Sequence, residues 1–391
     1  MAAALSRMLQ GITPDHSARG QTYLDDPIWL FLGGREFRIR TLSCYLLTLR
    51  ALGIRVAWSK GGRGTVVNWI GVKLGLQWEQ RKLLVSIPGK KLTELMEEIK
   101  GLIGKGMLSF KSLRSFTGRA SWCAGVLPHA RWAVNILYAV LTNYSEEVAS
   151  GREEKRRAGR RDQRRKEHLV HETRVALPLE WLLRLFQSFS EGMERSIDLR
   201  RRQPTFSIIL DASPWGLGGL LVHRQSRSLL EFFSSPIDAR DEATLGITIG
   251  ESSAQGAVEA LAIVAAVRLW GKKLSGEGLP VEIRSDSSVA LAMARKLASA
   301  SPAINFLGAA LALGLEQHHV GGVQAVHVPG ALNKTADWLS RGAERGNARA
   351  PEPPCLAGVK RRKAPARAAA LFLLPVPSPC APSCLAAAGP K

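Results

Sequence analysis

From Thr205 to Arg341 strand-like and helix-like segments alternate, and four acids stand at particular places in that alternation. TFSIILDAS is a β-branched, apolar run that ends in an acid and a turn. After the Ser213-Pro214 turn signal, WGLGGLLV is a second strand and SLLEFFSS a third. GESSAQGAVEALAIVAAVRLWG carries apolar residues at helical spacing and is closed by Gly271. VEIRS predicts a short strand, SSVALAMARKLA a helix, and SPAINFLGAALALGLEQ another helix with Pro302 at its start. VQAVHV is a fifth strand and NKTADWLSR a last helix. This order predicts an α/β fold, a mixed five-stranded sheet with flanking helices.

Asp211 ends the first strand, where its side chain can leave the sheet and face a groove. Glu259 lies inside an apolar helix beside Val258, Leu261 and Ile263, and a carboxylate buried there is costly unless paired or bound to metal. Asp286 follows VEIRS at a strand's C-terminal edge, and Asp337 is on the last helix. One small sheet can bring these four together, and acids packed closely would repel, so a divalent cation is the natural counter-charge. All-oxygen ligands favour magnesium or manganese over zinc. A solvated Asp after a strand is common, so the weight rests on the ordered set rather than on any one acid. Glu251 is the rival for the second acid; it opens the helix, where the helix dipole favours a carboxylate, and it is read as a cap.

ILDASPWGLGG, VEALAIVAAVRLW, IRSDSSVAL and HVPGALNKTADWLSR resemble, in order, the four signature segments of ribonuclease H in retroelement polyproteins. The resemblance implies a ribonuclease H-like fold and endonucleolytic hydrolysis of RNA in RNA/DNA hybrids. It implies Asp211, Glu259, Asp286 and Asp337 as ligands of two Mg2+ or Mn2+ ions. Asn333 matches the Asn of the N-x-x-A-D element and is expected to contact nucleic acid. His327, ten residues before Asp337, stands roughly where many members place a mobile His that aids product release. The family's basic handle loop is not evident, which leaves substrate grip to other regions.

Nearer the N-terminus, QTYLDDPIWLFLGG sets two adjacent acids between apolar strands, as in a hairpin that presents carboxylates to metal. A helical run to about Arg50 and then LGIRVAWSKGGRGTVVNWIGVKLGL follow. These segments resemble the palm of a reverse transcriptase: Tyr23, Asp25 and Asp26 in the Y-x-D-D hairpin, Lys60 after it, and Trp69-Ile70-Gly71 as the primer-grip turn. IPGKKLTELMEEIKGLIGKGMLSFKSLRSFTGRASWCAGVLPHARWAVNILYAVL looks like the helical thumb. LRSFTGRASWCAGVLPHAR is similar to elements of the tyrosine-recombinase (DIRS-type) retrotransposons. The family needs a further catalytic Asp on an earlier strand, whereas 22 residues precede Tyr23 and Asp15 is on no plausible strand. The polymerase site as written is therefore expected to be incomplete, truncated within the palm.

The expected domains are a partial palm (1–87), a helical thumb (88–144), an Arg-rich linker and connecting helix (145–203), the ribonuclease H domain (204–343) and a disordered Pro/Ala/Arg tail (344–391). The linker holds REEKRRAGRRDQRRKEH, a solvated helix or tether whose Arg160, Arg161, Arg164 and Arg165 suggest a patch that tracks a nucleic-acid backbone. With 54 Lys and Arg against 33 Asp and Glu, the net charge of +21 points to a polyanion, nucleic acid before membrane. No run of about 18 apolar residues is free of charge and glycine, so no membrane span is expected, and MAAALSRMLQ lacks the pattern of a signal peptide. Five scattered cysteines fit free thiols in a reducing, intracellular setting, nucleus or cytoplasm. Lys360-Arg361-Arg362-Lys363 is a candidate import signal. Expected partners are RNA/DNA hybrids, other nucleic acid and other retroelement proteins. The rival to the enzyme is a decayed element that grips nucleic acid without cutting; a basic structural chromosomal protein is hard to reconcile with four ordered acidic motifs.

The incomplete palm predicts no DNA synthesis by this chain alone. Primer extension on an RNA template with purified protein checks it, and robust dNTP incorporation overturns it.

Overall fold

A computed structural model of the chain describes residues 2–13, 18–23, 26–157, 169–189, 192–200, 203–275, 278–343 and 351–364. They divide into two compact units, Met1–Pro88 with Gly192–Arg200, and Gly89–Glu191 with Arg201–Lys391.

The first unit begins with helix α1 (Ala2–Gly11), the hairpin β1 (Ala18–Tyr23) and β2 (Asp26–Phe31), and α2 (Arg35–Ala51). Tyr45 of α2 is fully buried and meets Trp29 and Phe31 edge-on at 5.7 and 5.6 Å between ring centroids, which pins hairpin to helix. Strands β3 (Val66–Trp69), β4 (Val72–Gln77) and β5 (Lys82–Pro88) follow. Ile70 and Gly71, both at positive φ, make the two-residue turn between β3 and β4 that right-twisted hairpins favour.

The second unit starts with α3 (Gly89–Leu102), β6 (Met107–Ser109), α4 (Phe110–Val126), α5 (Arg131–Arg157), β7 (Leu169–His171) and α6 (Ala176–Gln187). Leu92, Leu95, Met96, Ile99 and Leu102 recur at helical spacing and form the buried face of α3. Strand β8 (Gly192–Asp198) then returns to the first unit and pairs antiparallel with β5. The stretch 145–203, expected as linker and helix, thus also contributes strands to two sheets. Arg160, Arg161, Arg164 and Arg165 lie outside the described residues.

The rest of the second unit runs β9 (Phe206–Ser213), β10 (Gly216–His223), β11 (Ser228–Pro236), α7 (Ala239–Leu245), α8 (Gln255–Leu274), β12 (Val281–Ser285), α9 (Ser288–Lys296), α10 (Pro302–Gln317), β13 (Val323–His327), α11 (Lys334–Ser340) and β14 (Lys360–Arg362). Their sheet has the order β13-β12-β9-β10-β11-β14. β9, β10 and β11 are antiparallel, while β12 runs parallel to β9 and to β13. The sheet has six strands rather than five, because β14, from the stretch expected to be a disordered tail, pairs parallel with β11.

One face of this sheet carries α8 and the main core, with Ile208, Leu210, Leu217, Leu221 and Phe233 packed beneath it. α8 is long and apolar enough to cross a membrane, but 72% of its apolar window is buried, as befits a core helix covered on all sides. Gly271 does not end it; the helix continues to Leu274, and a Cβ at Gly271 would collide with the His318 ring. The other face carries α11, over Leu220 and Phe232.

α11 lies so close to the sheet that only glycine fits below it. A Cβ on Gly218 would stand 2.6 Å from the Ser340 amide nitrogen, 2.7 Å from Leu339 Cβ and closer still to the Ala336 carbonyl oxygen. Gly218→Ala should therefore cost about 1–3 kcal/mol through overpacking. Gly314→Ala, where the new methyl would meet Val267 Cγ1 at an ordinary 3.5 Å inside α10, should be neutral or stabilise by about 0.5–1 kcal/mol. Urea unfolding of both variants checks the contrast.

Candidate active site

The register of two parallel strands sets the site. Arg284 of β12 pairs with Ile209 of β9, and two residues further along each strand come Asp286 and Asp211. Asp211 is 9% exposed. Its Oδ2 accepts a hydrogen bond from Ser340 Oγ at 2.7 Å, and Asn333 Nδ2 stands 3.5 Å from its Oδ1. Ser340 Oγ is also 2.8 Å from the Asp337 carbonyl oxygen. A hydroxyl has one proton, and a carboxylate is the stronger acceptor for it.

The same contacts fasten α11 to β9. Ser213 Oγ donates to the Ser340 carbonyl at 3.0 Å, and Asn333 Nδ2 to the Leu210 carbonyl at 2.9 Å. Asn333 is 3% exposed with its Nδ2 turned to the strand, where the sequence reading expected a nucleic-acid contact. Asp337, half-buried on α11, accepts from Arg341 Nε at 2.7 Å one turn on.

Glu259 is half-buried on α8, and its Oε1 accepts from Gln255 Nε2 at 3.0 Å. That nitrogen also donates to the Ala212 carbonyl at 2.6 Å, so Gln255 couples the second acid to the strand that carries the first. Asp286 stands between β12 and α9, whose first turn is capped by Ser287 Oγ accepting from Ala290 N at 3.1 Å. Gly330 passes closely over it: a Cβ there would lie 3.0 Å from Asp286 Oδ2. His327, exposed at the end of β13, has Nε2 3.1 Å from the Asp286 carbonyl oxygen.

Burial drives the Asp211 carboxyl up from 3.8 to about 6. The Ser340 hydrogen bond opposes that rise, and the charges of Asp286, Asp337 and Glu259 add to it. The other three acids therefore act on the Asp211 carboxylate. The four do not close to single-ion distances: among the described residues no three acid, His or Cys side chains are spaced to ligate one metal. Glu251 holds the N-cap position of the short 3-10 turn Ser252–Ala254 that leads into α8, without a side-chain capping hydrogen bond, and its carboxylate accepts from Ser253 Oγ at 3.1 Å.

The palm-like residues belong to the first unit. Tyr23 pairs with Asp26 across the β1–β2 hairpin, Asp26 is exposed, and Asp25 lies outside the described residues. Trp69 Nε1 donates to the Asp26 carbonyl at 3.0 Å, joining this hairpin to the Ile70-Gly71 turn. Lys60 ends an exposed 3-10 turn, Trp58–Lys60.

No family model matches the chain, and no curated protein is similar to it. Among solved structures, the foamy viral protease-reverse transcriptase dRH in complex with double-stranded DNA overlaps 84% of this chain at 14% identity and a TM-score of 0.33. The foamy viral protease-reverse transcriptase with an RNA/DNA hybrid overlaps 84% at 12% identity and a TM-score of 0.33. The same viral protein with double-stranded DNA gives 12% identity and 0.32. The chain spans 48%, 37% and 58% of those three chains.

The Asp211 shift has a signed consequence for stability. The unfolded carboxyl ionises near 3.8 and the folded one near 6, so below 3.8 both are protonated and the folded state suffers no penalty. As pH rises through that window the unfolded chain releases its proton first and stability falls, by roughly 3 kcal/mol once pH exceeds about 6. Asp211→Asn keeps the shape without the charge, so it should be more stable than wild type by about 1–3 kcal/mol at neutral pH and should flatten the decline. Urea unfolding at about pH 4 and about pH 7.5 measures both.

Proposed function

We propose that residues 204–343 hydrolyse the RNA strand of RNA/DNA hybrids, with Asp211, Glu259, Asp286 and Asp337 holding two Mg2+ or Mn2+ ions. The observation that carries this reading is the buried Asp211 carboxylate on which the three other acids press. Four acids carry the charge that two divalent ions neutralise, and an all-carboxylate donor set suits hard cations. When bound, such ions lower the pKa of an attacking water and stabilise the leaving oxygen. The protein's own part is to aim the ligands. Ser340 orients Asp211, Gln255 orients Glu259, and the β9–β12 register brings Asp211 and Asp286 level. The net charge of +21 would draw the polyanionic substrate, and 2′-hydroxyls read across the shallow minor groove would mark the RNA strand. His327, whose Nε2 is 3.1 Å from the Asp286 carbonyl oxygen, would assist product release.

In this reading residues 1–87 belong to a palm around Tyr23, Asp25, Asp26 and Lys60, 88–144 are a thumb, and 145–203 a connection whose arginines grip nucleic acid, the whole being part of a retrotransposon reverse transcriptase. Two observations favour the rival, a nucleic-acid-gripping remnant that does not cut. Arg341 occupies Asp337 Oδ1, and the four acids stand wider apart than one ion would hold them.

Cleavage of a labelled RNA/DNA hybrid in magnesium separates the two. Wild type should cut the RNA strand, and Asp286→Asn should lower the rate at least about a hundredfold, the scale of several kcal/mol of lost transition-state stabilisation. Equal cutting by both proteins would refute the site, and no cutting by either would favour the remnant.

A further inference from the structure

Residues 351–364 are seated on the sheet of the second unit at two anchors. The first is apolar. Pro354–Leu356 form a 3-10 turn that buries Leu356, 2% exposed, against Leu220 and Phe232 of the sheet and Ala336 and Leu339 of α11, with Val359 beside it. Cys355 Sγ lies 3.6 Å from Thr335 Oγ1 on the same helix. The second is ionic. β14 sets Lys360, Arg361 and Arg362 opposite Glu231, Phe232 and Phe233, and Arg362 Nη1 approaches Glu231 Oε1 at 3.8 Å. Glu231 is 3% exposed and also accepts from Trp270 Nε1 at 3.0 Å and Lys273 Nζ at 2.9 Å. A buried carboxylate of this kind needs donors on every side. Arg362 supplies one of its positive neighbours, and the free edge of β11 is covered at the same stroke.

These anchors bear on the candidate site because α11 has seven residues, too few for a helix to hold itself by propensity. Ser340 and Asn333 fix the side of α11 that faces β9. Leu356 and Cys355 press on Ala336, Leu339 and Thr335, the residues around Asp337.

We propose that residues 351–364 are a built-in peptide ligand of the groove between β11 and α11, an apolar Leu-x-x-Val pair followed by a basic strand, and that its docking holds Asp337 at the site. The docking stands on packing alone; its effect on cleavage rests on the proposed ribonuclease activity. While docked, the backbone of Lys360–Arg362 is paired with β11, and the Lys360 and Arg361 side chains stay exposed.

Amide hydrogen exchange on the full chain without substrate tests the docking whether or not the protein cuts. Wild-type amides at 360–362 should exchange more slowly than in a synthetic peptide of residues 351–364. Leu356→Asp should abolish that protection and speed exchange at 334–340 at least tenfold while β9 and β12 stay unchanged. Leu356→Met should restore the wild-type pattern. In hybrid cleavage Leu356→Asp should lower kcat and leave KM unchanged, with rescue by Leu356→Met. If wild-type 360–362 exchange like the free peptide, the docking is refuted. If Leu356→Asp frees 360–362 and leaves 334–340 as in wild type, the hold on Asp337 is refuted. Should Leu356→Asp unfold the unit as a whole, Arg362→Ala removes the ionic anchor alone, and the same two regions decide the question.

Discussion

A carboxylate buried at the end of a central strand, with three more acids acting on it, is an expensive arrangement to fold. Asp211 stays there because the chain around it is fixed by packing that does not depend on charge. Gly218, its cross-strand partner, lets α11 lie directly on the sheet, and Ser340 then reaches the carboxylate from the far end of that helix. Asn333 holds the near end through the Leu210 carbonyl. Close apposition of helix and sheet, made possible by one missing side chain, is what brings Asp337 beside Asp211 at all.

Within 204–343 the local pattern carried most of the fold. Strand runs such as TFSIILDAS and the apolar repeat of α8 match the elements observed, and the four acids lie where their positions in those elements suggested. The features missed depend on partners remote in sequence. Lys360-Arg361-Arg362 has no strand propensity, and it pairs with β11, where Arg362 joins Lys273 beside the buried Glu231. Gln255 shows no pattern as a helix-opening residue until the Ala212 carbonyl lies 2.6 Å away. Gly271 reads as a stop because glycine usually ends helices, whereas here it clears space for His318. α7 is short and polar, and is held by a capping box between Asp238 and Asp241, a pair that the usual Ser/Thr with Glu/Gln pattern does not reveal.

In the first unit the divide between local and non-local is sharper. The two-residue turn at Ile70-Gly71 is legible from the chain itself. The fourth strand of its sheet, Gly192–Asp198, arrives from more than a hundred residues downstream of β5, and nothing in GMERSID announces its partner. Its neighbours could be known only from the folded chain, where β5 offers an unpaired edge.

Electrostatic relief at Asp211 ties stability to chemistry. A proton and a divalent ion each remove the repulsion that Asp286, Asp337 and Glu259 exert on it, so they compete for one carboxylate. Above about pH 6 the carboxyl has lost its proton, and on the proposed reading a cation would take over the relief that the proton gave. A hydrophobic replacement would stabilise the unit more simply and leave nothing to bind. On the proposed reading, that cost belongs to a site arranged for its charge rather than for its packing.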